Sequence, residues 1–186
     1  MVGPGHCTAT WPADGRLNLA AFAPALDPRD GPVAGSGPLL PLPLGLGVRL
    51  LDEGGYRGPR LLQSVSHDEP AADCLRLGAR LRRLRDRGGL LVMADGSACR
   101  TLRAPGSLDP RAAAFDATIE RSVRDGDLGP LRAMDQDLAR DLLATARPGW
   151  QVLAGAMPGP APATEILYAD DPFGVFYLVA WLAGSA

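Results

Sequence analysis

The chain contains no lysine: all nineteen of its basic residues are arginine, against 21 acidic ones, in a length of 186 residues. That absence removes Schiff-base and pyridoxal-phosphate enzymes and P-loop nucleotide hydrolases, each of which needs a lysine amine for its chemistry or its phosphate grip. Histidine is nearly as scarce, with only His6 and His67, which limits metal chemistry before any motif is sought. Cys7, Cys74 and Cys99 are odd in number and widely spaced, and no Cys-x-x-Cys occurs. A disulfide framework or structural zinc site does not fit that pattern; a reducing cytoplasm does. The net charge of −2 and pI of about 5.6 argue against a general nucleic-acid binder, whose affinity comes from excess cations paired to phosphates. No basic start followed by an apolar run marks a secretory signal. The longest apolar stretch, Phe173 to Ala183, has eleven residues, where a membrane-spanning helix needs about 20. It reads as a buried strand.

What is present is the composition of one soluble domain over residues 1–186, with 46% hydrophobic and 22% charged residues. A chain of this size buries about 70% of the surface exposed on unfolding. Residues 1–37 are rich in Gly, Pro, Asp and Ala and read as mostly loop; residues 38–186 read as an α/β core. Leu42, Leu46, Leu50 and Leu51 recur at near-helical spacing over Leu42 to Glu53, and Gly54-Gly55 ends that helix. Arg60 to Ser66 is a strand. Pro70 suits a first helical position, and Cys74, Leu77, Gly78, Leu81 and Leu84 form one stripe, with Arg76, Arg80, Arg83 and Arg87 opposite. This arginine face reads as solvated, because no aromatic residues interleave for base stacking. Leu90 to Ala94 reads as a buried parallel strand, so strand, helix and strand make one βαβ unit. Asp109-Pro110 opens a helix whose buried face is Ala112, Phe115, Ile119 and Val123, ending at Gly126. Shorter helices follow at about Pro130 to Met134, Gln136 to Ala146 and Gly149 to Met157, then strands at Glu165 to Tyr168 and Gly174 to Leu182.

Ligands in open α/β sheets sit beyond the carboxyl ends of the strands. The loop Asp95-Gly96-Ser97-Ala98-Cys99-Arg100-Thr101 follows an expected strand, so Asp95, Gly96, Ser97 and Arg100 are candidate ligand-binding residues. Cys99 is either a thiolate nucleophile, with His67 as the imidazole in reach, or a small buried filler. His67-Asp68-Glu69 is either an acid-base cluster or a loop residue followed by a helix cap. Gly3-Pro4-Gly5-His6-Cys7-Thr8 hints at a glycine-rich phosphate loop but lacks the third glycine and a preceding strand. Asp170-Asp171-Pro172-Phe173-Gly174 is either a cation site or a turn.

Several segments together resemble a known family. Leu-Pro-Leu-Gly-Leu-Gly-Val-Arg-Leu-Leu-Asp (42 to 52), Ala-Asp-Cys (72 to 74), Leu-Leu-Val-Met-Ala-Asp-Gly-Ser-Ala-Cys-Arg-Thr (90 to 101), Ala-Pro-Gly-Ser-Leu-Asp-Pro-Arg-Ala-Ala-Ala-Phe-Asp (104 to 116), Trp-Gln-Val-Leu-Ala-Gly-Ala (150 to 156) and Leu-Tyr-Ala-Asp-Asp-Pro-Phe-Gly-Val-Phe-Tyr-Leu-Val-Ala (167 to 180) are similar to the actinobacterial branch of the class III extradiol ring-cleavage dioxygenase-like superfamily. The resemblance implies a single-domain α/β fold with a mixed, mostly parallel sheet flanked by helices. It implies Fe(II), held by two histidines and a glutamate, opening catechol rings with O₂ while a further histidine moves protons. It also implies that an opening strand-helix-strand portion is missing here. The family's His-Pro-Pro is absent, its acid-base histidine falls near Cys99, and Ala146 and Arg147 stand where the glutamate is expected around Trp150. No metal ligand carries over.

The expectation is therefore a family member without ring cleavage of its own, acting as a binding or accessory module for a small aromatic ligand. One alternative is an iron dioxygenase completed by an upstream segment or a partner. The other is a small thiol enzyme using Cys99 and His67. A sheet short of strands has an unpaired edge, so a homodimer or a partner completing that edge is also expected.

Overall fold

The computed structural model describes residues 1–17, 19, 37–84, 88–161 and 163–183. It is a mixed α/β chain that divides into two compact units, Met1–His67 with Gly89–Met93, and Asp68–Gly88 with Ala94–Ala186.

The first unit is built on a small sheet of β1 (Val2–Gly5), β2 (Ala9–Trp11) and β3 (Leu62–Ser66), in the order β1-β3-β2. β1 runs parallel to β3, from Val2 opposite Gln63 to Gly5 opposite Ser66, and β2 runs antiparallel to it. Helix α1 (Leu42–Glu53) starts and stops where its leucine spacing predicts. It buries Leu44 and Val48 with Leu40 and Leu62, against Met1 and Trp11. Gly47 on α1 faces the side chains of Met1 and Met93.

Three expectations are corrected in this unit. Gly3-Pro4-Gly5 is a strand and not a phosphate loop; glycine and proline are poor strand formers, which hides it in the sequence. Part of the loop-rich 1–37 region (18 and 20–36) lies outside the described residues, as does Arg87. Leu90 to Ala94 is half-buried and contributes one parallel bridge, Val2 to Val92, in place of a buried strand. Proline explains why. Val2 N donates to Leu91 O and Met93 N donates to Val2 O, so the next donor in that ladder is the nitrogen of Pro4, which carries no hydrogen. β1 also lies between Val92 and β3, so the two halves of the expected βαβ unit are not direct neighbours.

The second unit holds α2 (Ala71–Arg82), α3 (Ala112–Asp125), α4 (Gly129–Arg132), α5 (Gln136–Asp141), α6 (Arg147–Ala156) and a hairpin of β4 (Thr164–Asp170) and β5 (Tyr177–Leu182). Helices α2 and α6 pack through glycine. A Cβ on Gly78 would fall 2.1 Å from Val152 O, and one on Gly155 would fall 2.3 Å from Leu75 O. Pro70 is the N-cap of α2 and not its first helical residue. Leu84, past the helix end, is exposed. α3 starts at Ala112 after an Asx turn in which Arg111 N donates to Asp109 Oδ1, so Asp109 is not its cap. It ends at Gly126 in the left-handed region, φ 70°, as a C-terminal glycine should.

In place of one mixed sheet there are two separate ones. Among the described residues the sheets are the three-stranded mixed one and the antiparallel β4–β5 pair. Nor is the apolar stretch Phe173 to Ala183 a buried strand: β5 alternates exposed and half-buried residues, and Phe173 is 75% exposed.

Candidate functional site

The loop after Met93 lies outside regular helix and strand but is held by cross-links at almost every residue. Trp150 Nε1 donates to Asp95 O at 2.9 Å. Gly96 N donates to Phe176 O, Phe176 N to Ser97 O, Ala98 N to Leu142 O and Arg100 N to Gly174 O, all at 2.9–3.0 Å. Gly96 is required by its surroundings, since a Cβ there would fall 2.6 Å from both Asp116 Oδ1 and the Phe176 ring.

Beneath the loop, Asp116 is 1% exposed. Its Oδ1 accepts from Ser97 N at 2.8 Å and its Oδ2 from Ser97 Oγ at 2.6 Å. Arg100 Nε donates to Asp171 Oδ2 at 2.5 Å and stands 3.9 Å from Asp116 Oδ2. Burial pushes the Asp116 carboxyl above its ordinary value, opposed by the Ser97 hydrogen bonds and the Arg100 charge. The candidate residues Asp95, Gly96, Ser97 and Arg100 thus lie together, with Asp116 and Asp171 as the acceptors that organise them. Asp170-Asp171-Pro172-Phe173-Gly174 is a turn: Asp171 N donates to Asp170 Oδ1, Gly174 N to Asp171 O, and Gly174 has φ 73°.

Cys99 packs within this loop at 1% exposure, so close to Gly106 that a Cβ there would fall 2.3 Å from Sγ. Burial raises its thiol above the ordinary value, and the Asp109 and Asp116 charges add to that. These are the surroundings of a packed neutral thiol, not of an activated one. Cys74 is buried as well, its thiol pushed up to about 11 by burial, whereas Cys7 is exposed.

His67 belongs to the first unit and Cys99 to the second. The His67 ring meets that of His6 edge to face, with centroids 5.9 Å apart and planes at 85°. The parallel register causes this. Gly5 faces Ser66 at the last rung of β1 and β3, and His67 N donates to Gly5 O, so the residue after each strand meets its counterpart. The pair therefore stands at the carboxyl ends of two adjacent parallel strands.

A facial Fe(II) site takes two imidazoles and a carboxylate. His6 and His67 bring two imidazoles to one place, but among the described residues no three His, Cys, Asp or Glu side chains gather as a metal-holding group. Around Trp150, Arg147 is buried and donates to Gln151 Oε1 at 2.5 Å and to Glu69 O at 2.8 Å. A guanidinium thus occupies the place expected of a carboxylate. The described residues do not assemble the ligand set that the resemblance implies.

No family model matches the chain, and no curated protein is a significant relative.

Beside the loop lies an open groove of about 580 Å³ lined by Thr101, Leu102, Arg103, Pro172, Phe173 and Gly174. Its walls combine an aromatic ring, an aliphatic side chain, a hydroxyl and a guanidinium. The Arg100–Asp171 ion pair and Gly174, whose added Cβ would fall 2.6 Å from Thr101 Oγ1, fix the two rims against each other. No helix among the described residues is long and apolar enough to cross a membrane.

Proposed function

We propose that the chain is a binding or accessory module of the class III extradiol dioxygenase-like kind, without ring cleavage of its own, which takes a small aromatic ligand in the groove of Thr101, Leu102, Arg103, Pro172, Phe173 and Gly174. The observation that carries this reading is the lining of that groove. Phe173 and Leu102, exposed by 75% and 78%, offer apolar surface to a planar ring, and Arg103 offers donors to a carboxylate or phenolate on it. The packed, raised thiol of Cys99 gives the thiol-enzyme alternative no support.

Calorimetric titration with benzoate and with catechol tests the reading. Benzoate should bind, Arg103→Ala should weaken it about tenfold, the loss of one charge-assisted contact, and Phe173→Ala should weaken both probes. No binding of either probe at about 1 mM, or binding indifferent to both substitutions, overturns the groove assignment. Anaerobic loading with Fe(II) followed by O₂ and catechol tests the other half. Stoichiometric iron with ring-opened product would make the chain an intrinsic dioxygenase and overturn the accessory reading.

A further inference from the structure

Both histidines of the chain stand at one point of the first unit. His6 follows β1 and His67 follows β3, and the parallel register that pairs Gly5 with Ser66 sets the two side by side one residue further on. Residues paired across adjacent strands project from the same face, with the strands about 4.8 Å apart. The backbone is tied around the pair: His67 N donates to Gly5 O at 3.3 Å, Ser66 N to Thr8 Oγ1 at 2.9 Å and Ser64 Oγ to Cys7 O at 2.7 Å. What is left to adjust is the side-chain torsions. His6 is exposed and His67 half-buried, so the pair is reachable from water.

Imidazole binds borderline divalent ions through a ring nitrogen at about 2.0–2.1 Å. Two rings sharing one ion at a tetrahedral angle then have centres roughly 5 Å apart, and a wider angle brings them to about 6 Å. The centroids of His6 and His67, 5.9 Å apart, fall inside that span. Their planes meet edge to face, so chelation asks for a turn of the exposed His6 ring about its own side-chain bonds. Stacking accounts for the contact less well, because an exposed ring removes little apolar area from water.

We propose that His6 and His67 form a two-imidazole site for a borderline divalent transition-metal ion, of the zinc, nickel or copper kind, whose remaining positions are held by water. The ligand type selects the ion: neutral nitrogen donors suit zinc, copper and nickel, while magnesium and calcium take oxygen. Neither residue has a ligand role in the resemblance. With no third His, Cys, Asp or Glu gathered beside them among the described residues, the pair is not the facial set of an iron oxygenase. Two protein ligands hold an ion less tightly than the four of a structural zinc site, so the ion exchanges and the fold does not need it. No residue of the groove takes part, and failure of one reading leaves the other standing.

Calorimetric titration of the full chain with Zn²⁺, Ni²⁺ and Cu²⁺, each as the metal alone, tests the site. One ion per chain should bind with a dissociation constant on the order of 10 μM. Cu²⁺ should bind most tightly, and Mg²⁺ should not compete. His6→Ala and His67→Ala should each weaken binding by at least about tenfold with unchanged circular dichroism, since even an outer partner of a metal ligand is worth that much. Binding should also weaken as pH falls, because imidazoles ligate only when neutral. Cys7→Ser, beside the pair but outside the ligand set, should leave affinity unchanged. The electron paramagnetic resonance of the Cu²⁺-loaded chain should show nitrogen couplings from both imidazoles, reduced to one in His6→Ala. Should His67→Ala fail to fold, His6→Ala, at an exposed position, carries the test. No binding of any of the three ions up to about 1 mM overturns the proposal. So do binding indifferent to both histidine substitutions, loss of binding in Cys7→Ser, which would mark a thiolate site, and one ion per pair of chains, which would mark a bridge between copies.

Discussion

Helix α6 and strand β5 belong to the same unit and come from two of its most apolar stretches, yet their fates are opposite. All ten residues of α6 are buried, Arg147 and Gln151 among them, while every second residue of β5 faces water, including Tyr177, Val179 and Trp181. Hydropathy does not separate them. What separates them is how closely another backbone can come. Gly78 and Gly155 let α2 and α6 approach until no Cβ would fit, and the polar side chains carried inside find acceptors and donors there. The β4–β5 ribbon has bulky side chains on both faces and packs its inner side chiefly on α3.

The largest expected effect breaks the close approach. Alanine is the better helix former by about 1 kcal/mol, yet Gly78→Ala and Gly155→Ala should each lower stability by a net ~2 kcal/mol, because the added methyls meet backbone and not a flexible side chain. Urea unfolding measures this, and a neutral or stabilised Gly155→Ala would contradict the packing described.

An intermediate effect sharpens the rule that buried polar groups are accepted where they are bonded. Asp116→Ala strips Ser97 N and Oγ of their acceptor and should cost about 1–3 kcal/mol. Asp116→Asn, which keeps an acceptor, should cost less and should change the pH profile. Burial raises the Asp116 carboxyl in the folded chain above the ordinary aspartate value of about 4. The folded state therefore holds that proton more tightly than the unfolded one. The resulting stabilisation is complete below the ordinary value and is lost as pH rises through the raised one. Unfolding followed from about pH 4 upward should show wild-type stability falling relative to Asp116→Asn over that window; parallel profiles would mean that Asp116 does not titrate as its burial dictates.

The smallest effect is on the exposed side. Tyr177→Ser and Trp181→Ser should change stability by only about 0.5 kcal/mol. A loss as large as that at Gly155 would show that the outer face is covered.

The helices were the most legible part of the sequence. Leucine spacing in α1 and the apolar face of α3 with Gly126 behind it carry their own signals, and Leu42–Glu53 is the helix expected. β1 was hidden because Gly-Pro-Gly has no strand propensity of its own and is held in place by β3. The extent of Leu90–Met93 depended on one missing hydrogen on Pro4, which no property of residues 90–94 records. At the candidate site, loop residues 95–100 were legible as a group because they follow an apolar run. Their partners were not: Asp116 is 19 residues from Ser97 and Asp171 is 71 from Arg100, and nothing local couples them. The encounter of His6 with His67 had a signal, each histidine following a strand, but only a reader who had recognised β1 could use it.

The parallel pairing of β1 has a consequence for the order of assembly. Its partners, Gln63 to Ser66 and Leu91 to Met93, are made long after Val2 leaves the ribosome, so the first unit has to hold an unpaired strand in waiting until the chain passes Met93. Helices α1 and α2 close on local contacts and can form meanwhile, whereas the sheet needs loop closures of some sixty and ninety residues. The strand made first in that unit is therefore among the last of its parts to settle, and the interval before it does is the unit's period of greatest exposure to aggregation.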